Sequence, residues 1–187
     1  MLTASGEDMK LAGNITFHEE QRPWPGFVVI VIVCCSPVVA IFVYGMVEQL
    51  ACHRPLGDNP MSDGVLAILG PAVIILTLAA LIAVCMARLI IEVRPDGLYV
   101  RFVPLHLRPK RIALNEVTTV KAIVYQPILQ YGGWGIRWTT QGKAYNARGS
   151  RGVRLDYANG RHLLLGSQRP DDLAQMIELL RQRETES

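Results

Sequence analysis

Phe27-Val-Val-Ile-Val-Ile-Val-Cys-Cys-Ser-Pro-Val-Val-Ala-Ile-Phe-Val-Tyr-Gly-Met-Val47 is 21 residues long and holds no Lys, Arg, Asp or Glu. A bilayer core about 30 Å thick needs roughly 20 apolar residues in a helix that rises about 1.5 Å per residue. The β-branched content would disfavour a helix in water. In lipid the backbone has no partner but itself, so the stretch is predicted to be a membrane-spanning helix. A soluble core helix is rarely apolar all round for this length.

A second uncharged run covers residues 65–87, 23 positions. The chain has 187 residues, 50% hydrophobic and 19% charged, and all 35 charged side chains fall in the other 143 positions. Outside the two runs the charge density is therefore that of an ordinary soluble domain, about 25%. A single-core soluble globule is excluded, and so is a carrier folded from this chain alone, because only two spans exist. The predicted organisation is a cytoplasmic tail (1–26), a transmembrane hairpin (27–91, with spans 27–47 and 65–87 and an external loop 48–64), and a cytoplasmic domain (92–187).

A cleaved signal peptide is disfavoured. The 26 residues ahead of the first run carry four acidic side chains against Lys10 and Arg22, a poor basic leader. Leu50-Ala51-Cys52 resembles a lipoprotein cleavage box, but Glu48 and Gln49 stand where apolar residues are wanted. Lys10, Arg22, Arg88, Arg94 and Arg101 flank the spans on one side, and the connecting loop has only Arg54. The positive-inside rule then predicts that both termini lie in the cytoplasm. Trp24 stands just before the first span, where an indole suits the interface.

Pro37 and Pro71 interrupt the two spans and are expected to kink them. Ala79, Ala83 and Ala87 form a small-xxx-small stripe on the second span, and Ser36 and Ala40 a shorter one on the first. Such stripes let helices approach closely, either within the hairpin or against another membrane subunit. Neither run holds a carboxylate, Lys, Arg or His. Proton and ion pathways usually need such groups, so transport by this chain alone is not expected.

The domain from residue 92 reads as strands and one helix. Leu89-Ile-Ile-Glu-Val-Arg94 and Leu98-Tyr-Val-Arg-Phe-Val103 flank the turn signal Pro95-Asp96-Gly97. Residues 111–114, 117–125, 135–140 and 143–148 read as further strands, with Gln141-Gly142 as a turn. Asn159-Gly160 is the preferred pair for a type I′ hairpin, which would set Leu155 opposite Leu164. Pro170, then Asp171 and Asp172, open a helix whose Leu173, Met176, Ile177 and Leu180 share one face. About seven strands and one helix give an α+β class: a small sandwich or barrel, closed by the C-terminal helix.

Phe17-His-Glu-Glu-Gln21, Tyr131-Gly-Gly-Trp-Gly-Ile-Arg137, Ala144-Tyr-Asn-Ala147, Gly152-Val-Arg-Leu155 and Leu165-Gly-Ser-Gln-Arg-Pro170 carry a resemblance. With the two-span hairpin ahead of them, they resemble bacterial membrane proteins that bear a pleckstrin-homology-like (PH-like) domain. The resemblance covers nearly the whole chain from about Phe17. It implies two orthogonal antiparallel sheets closed by the C-terminal helix, and it implies no activity.

No catalytic residue, cofactor or metal site is predicted. Gly132-Gly-Trp-Gly135 lacks the Lys-Ser/Thr of a phosphate loop and reads as a bulge or tight turn beside Trp134. The histidines are scattered, no Cys-x-x-Cys exists, and three of the four cysteines lie in the spans; Cys52 lies in the loop. Asn14-Ile-Thr16 is a sequon on the predicted cytoplasmic side and so without meaning there. Trp134, Arg137 and Trp138 are candidate protein-contact residues, since contact surfaces favour Trp and Arg.

From residue 92 the chain has 15 Lys/Arg against 9 Asp/Glu. Arg94, Arg101, Arg108, Lys110 and Arg111 are candidate lipid-headgroup residues, with a solvated basic face as the simpler reading. Nucleic acid is not an expected partner, because no recognition helix or aromatic RNA motif is present. The expected partners are membrane lipids and other membrane subunits. The expected function is non-catalytic protein–protein contact as an accessory or scaffolding subunit; the alternative is a sensor that reads anionic lipid through its basic face.

Overall fold

A computed structural model describes residues 17–57, 59–140 and 142–186. The sequon, Lys10 and Gln141 lie outside these. The described residues divide into two compact units, one within 23–86 and a second made of 17–22 with 87–186.

The first unit is a helical hairpin. α1 (Pro25–Met46) contains Pro37 and runs on into a π-helical turn (Val47–Ala51), and α2 (Asp63–Cys85) contains Pro71. Both are long and apolar enough to cross a membrane, with mean hydropathy of 2.9 and 2.8. The most apolar window of α1 is 0% buried and that of α2 11%, unlike a soluble core helix. Val31, Cys35, Val39, Phe42 and Gly45 on α1 are less exposed than most of their neighbours, as are Leu66, Gly70, Ile74, Thr77 and Leu81 on α2. These residues recur every three to four positions and mark the seam where the helices pack.

Gly70 is what lets the seam close. A Cβ there would stand 2.6 Å from Met46 Sδ. The amide of Gln49, buried past the end of α1, donates to Asp63 Oδ1 at 2.8 Å and to the carbonyl of Met61, which ties the two helix ends together.

Among the described residues the second unit has nine strands in two sheets. β1 (Phe17–Gln21), β2 (Arg88–Arg94), β3 (Gly97–Val103) and β4 (Lys110–Ile112) form an antiparallel sheet in that order. β5 (Val117–Val124), β6 (Gly135–Thr139), β7 (Gly142–Asn146), β8 (Arg151–Tyr157) and β9 (His162–Gly166) form the other, in the order β5-β8-β9-β7-β6. β7 and β9 run parallel, so this sheet is mixed and not antiparallel throughout. A five-residue α3 (Pro127–Tyr131) joins β5 to β6, and α4 (Pro170–Glu186) closes the chain, packed on β5 and β8.

One core serves both sheets and α4. Leu89, Ile91 and Val93 of β2 and Leu98, Val100 and Phe102 of β3 alternate inward, and they meet Val153, Leu155, Leu163 and Leu165. Leu173, Ile177 and Leu180 of α4 complete it. Each such side chain contributes about 1.5–3 kcal/mol on burial. β9 is buried on both faces: Leu164 points away from this core into a smaller cluster with Tyr125 and Ala144.

Three expectations need correction. First, residues 17–21 are not part of a free tail. They pair residue for residue with β2, Phe17 with Val93 through Gln21 with Leu89. The strand escapes hydrophobic patterning because two of its three inward positions are Glu19 and Gln21, both buried. Second, the β8–β9 register is one residue from that of a type I′ turn, with Leu155 opposite Leu163. Only Gly160 adopts positive φ, at 77°, while type I′ requires it at both central residues. Tyr157 therefore closes on Arg161 across a three-residue loop.

Third, Ala87 is not on the second helix. α2 ends at Cys85 and Ala87 is buried in the sheet core, so the four-residue spacing no longer places it beside Ala83. Ala79 is exposed, as are Ser36 and Ala40, and the Ser36 hydroxyl bonds back to Val33 O at 3.2 Å. Ala83 is half-buried, so most but not all of the small residues lie off the hairpin seam.

Candidate interaction surfaces

Trp134, Arg137 and Trp138 separate into different roles. Gly132, at φ 69°, caps α3: its N–H and that of Gly133 donate to Ile128 O and Pro127 O. The chain then turns into β6 and leaves Trp134 half-buried, its indole N–H donating to Gly149 O at 3.1 Å. Trp134 is thus packed onto the β7–β8 connection. Arg137 is exposed and its guanidinium lies against Gly133. Trp138 is 72% exposed on β6, an edge strand.

Trp138 borders an open cleft of about 660 Å³ between β4 and the β6–β7 pair. Lys110 and Arg111 line one wall and Lys143 and Tyr145 the other, with Arg161 at one end. Lys143 Nζ sits 4.6 Å from the Trp138 ring centre and 4.6 Å from that of Tyr145, a cation held between two aromatic faces. Among the described residues neither Lys143 nor Lys110 makes an ion pair with a carboxylate. Burial pulls the Lys143 amine below its ordinary pKa. Burial, then Lys143 and Lys110, push His106 down. The Tyr145 hydroxyl is buried without a hydrogen-bond partner; burial raises its pKa and Lys110 opposes the rise.

The five predicted headgroup residues do not form one face. Arg94 stacks at 4.7 Å on the Tyr99 ring and pairs with Glu92, at the β2–β3 turn. Arg111 lies across Gly97 on β3, opposite Tyr99. Arg101, Arg108 and Lys110 gather instead at or beside the β3–β4 loop. Arg101 Nε donates to His106 O at 3.3 Å, and Arg108 and Lys110 are exposed.

Sequence reasoning passed over three parts of this surface. Lys143 carries no signal until the parallel β7–β9 pairing and the β6 hairpin set it between two rings. Leu105 and Leu107 stand 69% and 84% exposed in the β3–β4 loop, and a Leu-His-Leu between prolines is too short for a periodicity argument. Val124, Ile128 and Leu129 are also exposed, around the short α3. Among the described residues, no three His, Cys, Asp or Glu side chains converge as a metal site requires. Comparison of the chain with protein-family models, curated proteins and solved structures gives no match.

Proposed function

We propose that this chain is a non-catalytic, two-span membrane protein whose sheet domain docks an acidic segment of another membrane subunit. The observation that carries the reading is the cleft in which Lys143 lies between Trp138 and Tyr145, with Arg111 and Arg161 around it. Cations held in a partly apolar, aromatic groove favour a carboxylate flanked by apolar side chains.

The membrane part rests on α1 and α2, which are long, apolar and mostly exposed along their length. The charge bias around them supports cytoplasmic termini, and the resemblance to bacterial membrane proteins with a PH-like domain points to a bacterial inner membrane. Two sheets followed by a C-terminal helix support a PH-like domain; the parallel β7–β9 pair and the strand contributed from before α1 depart from the simple form of that fold.

Native mass spectrometry of the full chain, extracted in mild detergent from its own membrane, tests the reading. A second subunit held in fixed ratio by the natural chain, and lost from Trp138→Ala and Lys143→Glu, is the expected result. A lone chain under every mild extraction overturns it.

A further inference from the structure

The β3–β4 loop, residues 104–109, carries its two leucines outward on a fixed frame. His106 N donates to Phe102 O at 2.7 Å, its carbonyl accepts from Arg101, and its ring lies edge-on to Tyr145 at 5.7 Å. His106 thus faces into the domain, and Leu105 and Leu107 on either side face out. Leu107, at 84%, is more exposed than any large apolar side chain of α1 or α2. Arg108 and Lys110 stand exposed beside them.

The strand register fixes which end of the sheet this loop occupies. β3 runs into it at Val103, and Val103 pairs with Arg88, the first residue of β2. Arg88 is the third residue past Cys85, where α2 stops. Gln21, the last residue of β1, pairs with Leu89 at this same end, and Pro25 opens α1 four residues later. At this end of the sheet the chain therefore passes to α1 through three residues and returns from α2 through two, each residue spanning at most about 3.5 Å.

We propose that residues 104–109 form a foot on the membrane surface, in which Leu105 and Leu107 enter the headgroup layer and Arg108 and Lys110 bind anionic lipid. The inference rests on the membrane-spanning reading of α1 and α2. Exposed apolar side chains flanked by cations match an anionic bilayer surface, which offers both an apolar boundary and negative charge. In a monomeric water-facing domain the same leucines would be an unpaired apolar exposure.

The test uses the full chain in lipid nanodiscs, with its four cysteines replaced by alanine and one labelling site restored at a time. An environment-sensitive fluorophore is placed at Leu107→Cys, at Val124→Cys as an exposed site elsewhere on the domain, and at Ile75→Cys on α2. Quenching by lipids that carry a spin label reads contact with the bilayer. The expected result is quenching at positions 75 and 107 but not 124 in bilayers that contain phosphatidylglycerol. At 107 it should fall to the level of 124 in Arg108→Glu/Lys110→Glu and in pure phosphatidylcholine. Quenching at 75 without quenching at 107 overturns the foot alone. No quenching at 75 removes the membrane-spanning reading and the foot with it. Equal quenching at 107 in neutral and anionic bilayers overturns the assignment to anionic lipid.

Discussion

The carboxylate of Glu19 accepts a hydrogen bond of 2.6 Å from the Ser167 hydroxyl, across 148 positions of sequence. Its other oxygen accepts from the Gln168 backbone N–H at 2.7 Å and from the Gln21 amide at 2.8 Å, and that amide also donates to Gly166 O at 2.6 Å. The segment ahead of α1 is thereby bound to the junction between β9 and α4. Glu19 is 7% exposed, so these donors lose water on folding and depend on it.

Glu19→Ala should therefore cost about 3 kcal/mol, because several buried donors lose their acceptor at once. Glu19→Gln keeps one acceptor oxygen and should cost less. Denaturant unfolding of the full chain in detergent, followed by tryptophan fluorescence, measures both. A loss under about 1 kcal/mol for the alanine variant would mean that β1 contributes little to the domain.

Gly160→Ala should destabilise the domain by about 1 kcal/mol, since the residue sits at φ 77°, where a Cβ is strained. Asn159→Ala should cost less. It removes the hydrogen bond from Arg161 N to Asn159 Oδ1, but Asn159 is not at positive φ. Equal, larger losses at both positions would instead indicate a type I′ turn. The same unfolding assay reads the difference.

His162 and His106 make stability depend on pH. Burial is the main cause holding each below the ordinary value of 6.5, helped by Arg154 at His162 and by Lys143 and Lys110 at His106. The folded state thus resists protonation, while the unfolded chain takes up protons from about 6.5 downward. Between 6.5 and the lower folded values the unfolded state binds more protons, so stability falls as pH falls. Above 6.5 these groups contribute no slope. The melting temperature, followed by circular dichroism, should drop on acidification below pH 6.5, and His162→Asn should flatten part of the slope. A melting temperature that rises on acidification in this window would contradict the assignment. The Asp96 carboxyl, held low first by the Tyr99 hydroxyl, titrates below 3.8 and leaves the window undisturbed.

Legibility in the sequence tracked apolar pattern. The two long helices, β2, β3 and α4 were readable because their buried positions are Leu, Ile, Val and Phe at the periods of helix and strand. β1 was not, because it is held by Glu19 and Gln21, and buried polar residues look like surface until their partners are known. The β8–β9 turn was found but its register missed, since Asn-Gly serves both a two-residue turn and the three-residue loop seen here. Of the candidate surface, Trp138, Lys110 and Arg111 are legible in the sequence as contact or headgroup candidates. Their joint position with Lys143 needed the mixed sheet, which local sequence does not encode.

The helical seam yields a contrast between two small residues. A side chain at Gly70 would meet Met46, with a Cβ 2.6 Å from Sδ and 3.0 Å from Cγ. Gly70→Ile should destabilise the hairpin by about 1–3 kcal/mol, as overpacking does, and Met46→Ala should restore part of that. Ala79→Leu should change little, because Ala79 is exposed. Unfolding in mixed micelles with increasing denaturing detergent ranks the variants. If Ala79→Leu proved the more damaging, the seam would lie on the alanine stripe after all.

β1 lies before the hairpin and β2 after it, yet the two are hydrogen-bonded from Phe17–Val93 to Gln21–Leu89. A bilayer cannot separate two strands of one sheet, because each would leave its backbone groups unpaired. Spanning helices between them must therefore go out and come back, with both flanks on one side. On the proposed reading, the charge bias, five Lys/Arg on the flanks against Arg54 in the connection, puts that side in the cytoplasm. In intact bacterial cells a membrane-impermeant thiol reagent should label Cys52, which is exposed in the connecting loop. It should leave Ser150→Cys, exposed on the domain, untouched until the membrane is opened. The reverse pattern would invert the orientation while keeping the hairpin. Labelling of both positions from outside would mean that α1 and α2 do not cross the membrane.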